Sequence, residues 1–319
     1  MSEARLGRIG LGCASLGNLY RERSDDEAAA VLEAAWEAGV RYFDTAPHYG
    51  LGLSERRLGR FLAGKPRDEY VISTKVGRLL RPDPDADDAA TDDEGFAVSS
   101  PLRRVWDLSP GGLRTSLEES LERLGLDRVD IVLLHDPERS GRADAVETGM
   151  AGLAALRDEG LATYVGCGSM TPETLLAAVE TEVSDLVMVA NRYTLLDQGA
   201  APAVLEACDR TGTRVVAAAV FNSGLLAVGA RAGATYDYEA VPPEVLARTE
   251  RIEAVCREHD VDLATAAVHY PLLDLRVTTV VVGADTPDQI RRNVARLDEP
   301  VPGALWAQLA REDLVPQYA

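Results

Sequence analysis

The 319-residue chain reads as an α/β protein, a closed (β/α)8 barrel, and three observations point there. Short apolar runs alternate with amphipathic helical segments from one end to the other, and eight such runs can be traced. The runs are almost continuously apolar, as in parallel strands covered on both faces. No strand leads into G-x-G-x-x-G: Gly10-Leu11-Gly12-Cys13-Ala14-Ser15 lacks the third glycine, which disfavours a doubly wound sheet. Residues 1–319 are expected to form one domain, a length that such barrels reach.

The elements follow in order. Arg8–Cys13 reads as the first strand. Ser24 with Glu27 three residues on makes a capping box. It opens a helix with apolar positions at Ala28, Val31, Leu32, Ala35 and Trp36, closed by Gly39. Val40–Asp44 is the second strand, then a helix Ser54–Leu62, then the strand Tyr70–Lys75. Between Leu80 and Leu108 the alternation stops, and Asp83, Asp85, Asp87, Asp88, Asp92, Asp93 and Glu94 crowd a stretch expected to be a long acidic, mobile loop. Helix Gly112–Leu124 ends at Gly125, and strand Asp130–Leu134 runs into His135. Helix Ala143–Glu159, strand Thr163–Cys167, helix Pro172–Thr181, strand Leu186–Ala190, helix Pro202–Thr211 and strand Arg214–Val220 continue the pattern. A helical region Pro243–His259 extends through Asp262–Leu273, before the last strand Val277–Val282 and helix Thr286–Leu297.

Composition excludes several classes. The formal net charge of −19 argues against nucleic acid and anionic membranes as partners. No apolar run reaches the roughly 18 residues of a membrane span, and Met1-Ser2-Glu3-Ala4-Arg5 has no signal-peptide pattern. Cys13, Cys167, Cys208 and Cys256 are scattered without a CxxC, so neither zinc nor a disulfide framework is expected, and a reducing cytoplasm fits.

The chemistry converges on strand ends, where barrels of this kind build their sites. Asp44 closes the second strand with Tyr49 just beyond, Lys75 closes the third, and His135 closes the fourth. Lys65 and Lys75 are the only lysines; Lys65 lies in a polar turn and reads as surface charge. A tyrosine is a weak acid near neutral pH, with an ordinary pKa of about 10. An ammonium beside it favours the phenolate, and a carboxylate keeps that ammonium charged and in place. A histidine alongside can hydrogen-bond a substrate oxygen or pass a proton. The set suits a carbonyl/alcohol pair without metal, with hydride carried by a cofactor. Trp106, leaving the acidic loop, reads either as a pocket wall or as an anchor; His259 and His269 fall on helices and read as structural.

Asp44, Tyr49, Lys75 and His135 resemble the catalytic tetrad of the aldo-keto reductases, within Phe43-Asp44-Thr45-Ala46-Pro47-His48-Tyr49-Gly50 and Ser73-Thr74-Lys75-Val76. The resemblance implies a barrel that binds extended NAD or NADP. Gly168 and Ser169 stand where the family often has a Ser-Asn pair on the carboxamide. Asn191 matches an amide near the nicotinamide, and Phe221 the aromatic stacked on its ring, with Asn222, Ser223 and Gly224 following. Gly283, Ala284, Asp285, Gln289 and Asn293 match the segment that holds the adenosine half, where Thr286 opens a helix, and Cys13 completes the implied cofactor set. Positions that carry Lys and Arg in NADP-using members are Gly283 and Gln289, with Asp285 nearby, so NAD is expected to be preferred over NADP.

The segments Asn191–Asp197 and Asn222–Leu226 are similar to the sugar 1-dehydrogenase branch, which includes L-fucose, D-threo-aldose and L-galactose dehydrogenases, with pyridoxal dehydrogenase close by. The implied reaction oxidises an aldose at C1 to the lactone, with His48 and Trp106 as substrate contacts. Pyridoxal or a simple aldehyde or ketone is the alternative substrate. Two rival classes are a Schiff-base aldolase using Lys75, which Asp44 opposes by keeping the amine charged, and a non-catalytic nucleotide-sensing subunit, which an intact tetrad opposes.

Overall fold

The computed structural model describes residues 6–84, 92–99, 101–231, 234–237 and 239–317. Along the first half run β1 (Ile9–Gly12), α1 (Asp25–Glu37), β2 (Tyr42–Asp44), α2 (Leu53–Leu62), β3 (Val71–Val76), β4 (Arg78–Pro82), β5 (Leu102–Trp106), α3 (Pro110–Leu124) and β6 (Val129–His135). Next come α4 (Ala145–Asp158), β7 (Ala162–Ser169), α5 (Pro172–Glu180), β8 (Leu186–Ala190), α6 (Glu206–Thr211), β9 (Arg214–Ala218) and α7 (Leu225–Val228). The remainder holds β10 (Thr235–Tyr236), β11 (Glu239–Ala240), α8 (Pro243–Glu258), α9 (Leu263–His269), β12 (Val277–Gly283), α10 (Pro287–Ala295) and α11 (Gly303–Arg311). Eight of the strands are parallel and close in the order β1-β12-β9-β8-β7-β6-β3-β2, which is the expected barrel.

Alternation along each strand splits the core in two. Tyr42, Val71, Ile131, Leu133, Leu186, Met188, Val216 and Val281 fill the barrel interior, with Leu6 packed among them. Phe43, Ile72, Val132, Leu134, Val187 and Val280 face the helices instead. The period-2 geometry of a strand makes this partition automatic. Gly10 is required where it is: a Cβ there would come within 2.5 Å of the Tyr42 ring.

Local signals act as the residue types dictate. Ser24 accepts from the Glu27 amide while the Glu27 carboxylate accepts from the Ser24 amide, the reciprocal capping box. Gly125 adopts the left-handed conformation that ends α3. Two helices are less regular than their patterns suggest. The expected Pro202–Thr211 helix begins as a π turn, Ala201–Leu205, before α6; Pro202 has no N–H to place in a regular ladder. The expected Asp262–Leu273 helix stops at His269 and continues as a 3-10 turn, Tyr270–Leu273, at Pro271.

The largest correction concerns the stretch expected to be a loop from Leu80 to Leu108. Its two ends are strands: β4 and β5 pair antiparallel from Arg78↔Trp106 to Pro82↔Leu102. The apolar side chains Leu79 and Leu80 are buried, which holds the ribbon to the body. Asp85, Asp87 and Asp88 lie outside the described residues. The segment 92–99 returns across the barrel mouth. There Ala97 and Asn18 pair through their backbones, and Tyr20 donates to the Gly95 carbonyl. Trp306 sits on α11 and packs against Tyr270. Among the described residues no helix is long and apolar enough to cross a membrane.

Candidate active site

Three adjacent strands place the central residues. β2 ends at Asp44, β3 carries Lys75 one residue before its end, and β6 ends at His135. Tyr49 lies in the turn after β2, and that turn is pressed against the loop after β1. Gly50 there has φ +61°, and a Cβ on it would come within 2.2 Å of the Gly17 carbonyl oxygen. Only glycine meets both demands.

The Lys75 ammonium donates to Asp44 Oδ2 at 2.7 Å, to the Thr45 carbonyl at 3.0 Å and to the Tyr49 hydroxyl at 3.0 Å. Asp44 also accepts from the Ser73 hydroxyl at 2.6 Å. The Lys75 and Asp44 side chains are only 3% and 4% exposed. Burial alone would lower the Lys75 pKa; Asp44 and then Tyr49 outweigh it, and the ammonium stays protonated well above neutral pH. The His135 ring stands edge-on to Tyr49, with centroids 5.9 Å apart. The four side chains named from the sequence therefore form one contiguous cluster. A neutral, nucleophilic Lys75 is the state this geometry disfavours most.

The pocket wall is aromatic. His48 is buried, with its ring 5.5 Å from His135 and 5.3 Å from Phe96, and Phe96 lies 6.0 Å from Tyr49. Burial, then the nearby Arg78 and Arg104 charges, lowers the His48 pKa to about 2. Its Nδ1 has no hydrogen-bond partner among the described residues. Trp106 acts as an anchor: its ring centroid lies 4.5 Å from the Arg78 guanidinium carbon, and Arg78 reaches His135 at 3.1 Å.

Several contributors carried no decisive signal in the sequence. Phe96 is one aromatic within an acidic stretch. Arg104 donates to both Asp92 oxygens and to the His48 carbonyl, tying the returning segment to the turn that carries Tyr49. Arg78 looks in sequence like any arginine of this Arg-rich chain. Its place directly after the Lys75 strand was the available hint.

The residues matched to a dinucleotide are spread around the same rim. Phe221 is 9% exposed, and Asn222 donates to the Asn191 carbonyl at 3.1 Å. The side-chain oxygens of Asn191 and Asn222 are buried without a partner among the described residues. Such unpaired groups fit a ligand that offers hydrogen bonds, as a carboxamide does, so a nicotinamide group suits this side of the mouth. The Ser169 hydroxyl is already engaged, donating to Glu138 at 2.6 Å and accepting from the Thr171 amide. Gly168 lines β7 against Met188 and Lys75.

Three of the residues matched to a cofactor already have partners within the chain. Cys13 is wholly buried; its thiol faces the Leu11 carbonyl and its own carbonyl accepts from Ser54, so it presents neither group to the mouth. Asp285 is not a lone carboxylate. Arg23 grips its side chain and donates to its backbone oxygen at 2.8 Å. Its amide donates to Gln289, and the Ala284 carbonyl accepts from Ser15 at 2.8 Å. Asn293 is buried, and its side-chain oxygen accepts from Arg296 just beyond the end of α10. Gly283 ends β12, and Ser223 and Gly224 occupy the left-handed turn that opens α7. Among the described residues no three His, Cys, Asp or Glu side chains gather as a metal set.

The model of the Aldo/keto reductase family matches residues 8–311. The chain belongs to the aldo/keto reductase family. Within this family it is 51% identical to a D-threo-aldose 1-dehydrogenase of a Pseudomonas species, over 97% of this chain and 94% of the relative. It is 37% identical to a pyridoxal 4-dehydrogenase of Microbacterium luteolum, over 96% and 94% of the two chains. Its fold matches that of an aldo-keto reductase from Bacillus halodurans solved in its holo form, with a TM-score of 0.76 at 22% identity, covering 97% and 92% of the chains.

Proposed function

We propose that this aldo/keto reductase family oxidoreductase oxidises an aldose at C1 to the lactone, with NAD preferred over NADP. The observation that carries the chemistry is the buried Asp44–Lys75–Tyr49 chain at 2.7 Å and 3.0 Å. A bound nicotinamide would supply the hydride acceptor. Tyr49 takes the proton of the C1 hydroxyl, and the Lys75 ammonium stabilises the phenolate that must form first. Asp44 holds that ammonium in place, and His135 hydrogen-bonds the C1 oxygen. His48, Phe96 and Trp106 exclude water and offer apolar faces to the sugar ring.

The 51% identity to a D-threo-aldose 1-dehydrogenase supports the substrate class. The likeness to a pyridoxal 4-dehydrogenase favours pyridoxal as the second reading. The preference for NAD rests on Gly283 and Gln289, which stand where NADP-using members carry Lys and Arg, and on the half-exposed Asp285 carboxylate, whose charge the ion pair with Arg23 partly offsets. The test is incubation with NAD and a panel of aldoses, pyridoxal and simple aldehydes, following reduced nicotinamide by absorbance. Lactone formation from an aldose supports the proposal. Turnover of pyridoxal alone selects the second reading, and no turnover of any substrate rejects both.

A further inference from the structure

His135 is held on one side by a group that can only donate. Arg78 Nη1 lies 3.1 Å from His135 Nδ1, and Arg78 Nη2 donates to Asp136 Oδ2 at 3.0 Å. Arg78 is 3% exposed. Gly77, at φ +116°, turns the chain out of β3, and the Arg78↔Trp106 pairing of the ribbon fixes where the guanidinium begins. A guanidinium has five N–H donors and no acceptor. The ring nitrogen facing it must therefore present a lone pair, and the single imidazole proton must sit on Nε2.

We infer that Arg78 is a positioning residue that holds His135 as the neutral Nε2–H tautomer. The imidazole is then a fixed hydrogen-bond donor to the substrate oxygen and does not relay protons. This rests on the proposed alcohol/carbonyl chemistry for its purpose but not for its geometry.

The surroundings agree. Lys75 on β3, Arg78 on β4 and Arg139 in the turn after β6 face His135 with positive charge, while His48 and Tyr49 face it from the turn after β2. The adjoining carboxylate Asp136 is taken up by Arg78, and its Oδ2 is 3.5 Å from His135 Nε2, long for a hydrogen bond. A second ring proton would set two N–H groups head to head at Arg78. Burial first, and then Arg78 and Lys75, pushes the His135 pKa well below its ordinary value.

The test is nitrogen-15 NMR of the full chain labelled at histidine, from about pH 5 to about pH 9, a span that brackets ordinary histidine titration. The His135 signals are assigned by their loss in His135→Gln. The expected result is an unprotonated Nδ1 and a protonated Nε2 throughout, with no titration. Arg78→Met should give mixed tautomers or a titration within that range. Arg78→Lys, whose ammonium also only donates, should keep the wild-type pattern. In turnover, Arg78→Met should lower kcat by up to about 100-fold, less than outright loss of such a donor, with KM changed less.

A wild-type Nδ1–H tautomer, ordinary titration in the wild type, or an unchanged pattern in Arg78→Met overturns the inference. If Arg78→Met fails to fold, the wild-type spectrum decides alone. The spectrum needs no turnover. The expected pattern without aldose oxidation would leave Arg78 in its role and remove the functional proposal, and the opposite pair of results would do the reverse.

Discussion

At the residue scale, the proposed proton acceptor and the two buried imidazoles make separable predictions. Tyr49→Phe removes only a hydroxyl from a ring packed against Phe96 and His135. It should lower kcat by roughly 10²- to 10⁴-fold and leave dinucleotide affinity almost unchanged, checked by steady-state kinetics and fluorescence titration. Loss of binding in place of rate would move Tyr49 out of the chemistry. His48, with its pKa lowered to about 2, and His135, lowered further than the ordinary range, stay neutral in the folded state. The unfolded chain takes up protons on both as pH falls through about 6.5. Stability is thus fully present above that pH and is lost below it, by up to about 1.4 kcal/mol per pH unit for each imidazole. A melting temperature that falls from pH 7 to pH 5, and falls less in His48→Gln, is expected. A flat profile over that interval contradicts the burial account.

At the element scale, the ribbon β4–β5 and the returning segment 92–99 decide how the mouth is covered. The acidic composition of this stretch suggested a loop, because period-2 alternation is weak in Arg78–Pro82 and Leu102–Trp106 and the pairing partners are far apart in sequence. What makes it ordered is tertiary: buried Leu79 and Leu80, the Arg78–Trp106 stack, and Arg104 closing on Asp92 and His48. The Asp92 and Arg104 side chains are 3% and 9% exposed, so removing one leaves an uncompensated buried charge, at a cost of about 3–5 kcal/mol. Arg104→Ala should speed amide hydrogen exchange in residues 92–98 and raise the KM for sugar more than it lowers kcat. Unchanged exchange there would show that the pair does not hold the segment. The barrel strands were legible because β-prone apolar runs ending in Gly, Pro or a polar tip are local signals. The π turn before α6 and the 3-10 end of α9 were not, since Pro202 and Pro271 sit inside otherwise helical patterns.

At the scale of the whole molecule, strand order is what turns distant sequence into one site. Asp44, Lys75 and His135 are separated by up to 91 positions, yet β2, β3 and β6 are neighbours in the closed sheet. That convergence was readable because parallel barrel strands all end on one rim. The Arg23–Asp285 contact was not, because it joins the loop after β1 to the end of β12, and nothing local announces it. It belongs to the cofactor claim: kcat/KM with NAD is expected to exceed that with NADP, and equal or better values with NADP would end that part of the proposal.

The central claim is that the Lys75 ammonium makes the Tyr49 hydroxyl a usable base. The most direct measurement is the pH dependence of kcat/KM for aldose oxidation in the wild type and in Lys75→Met. The expected result is a rising limb below pH 10 in the wild type that moves up toward about 10, the value of an unassisted phenol, in the variant. The same inflection in both proteins would contradict it.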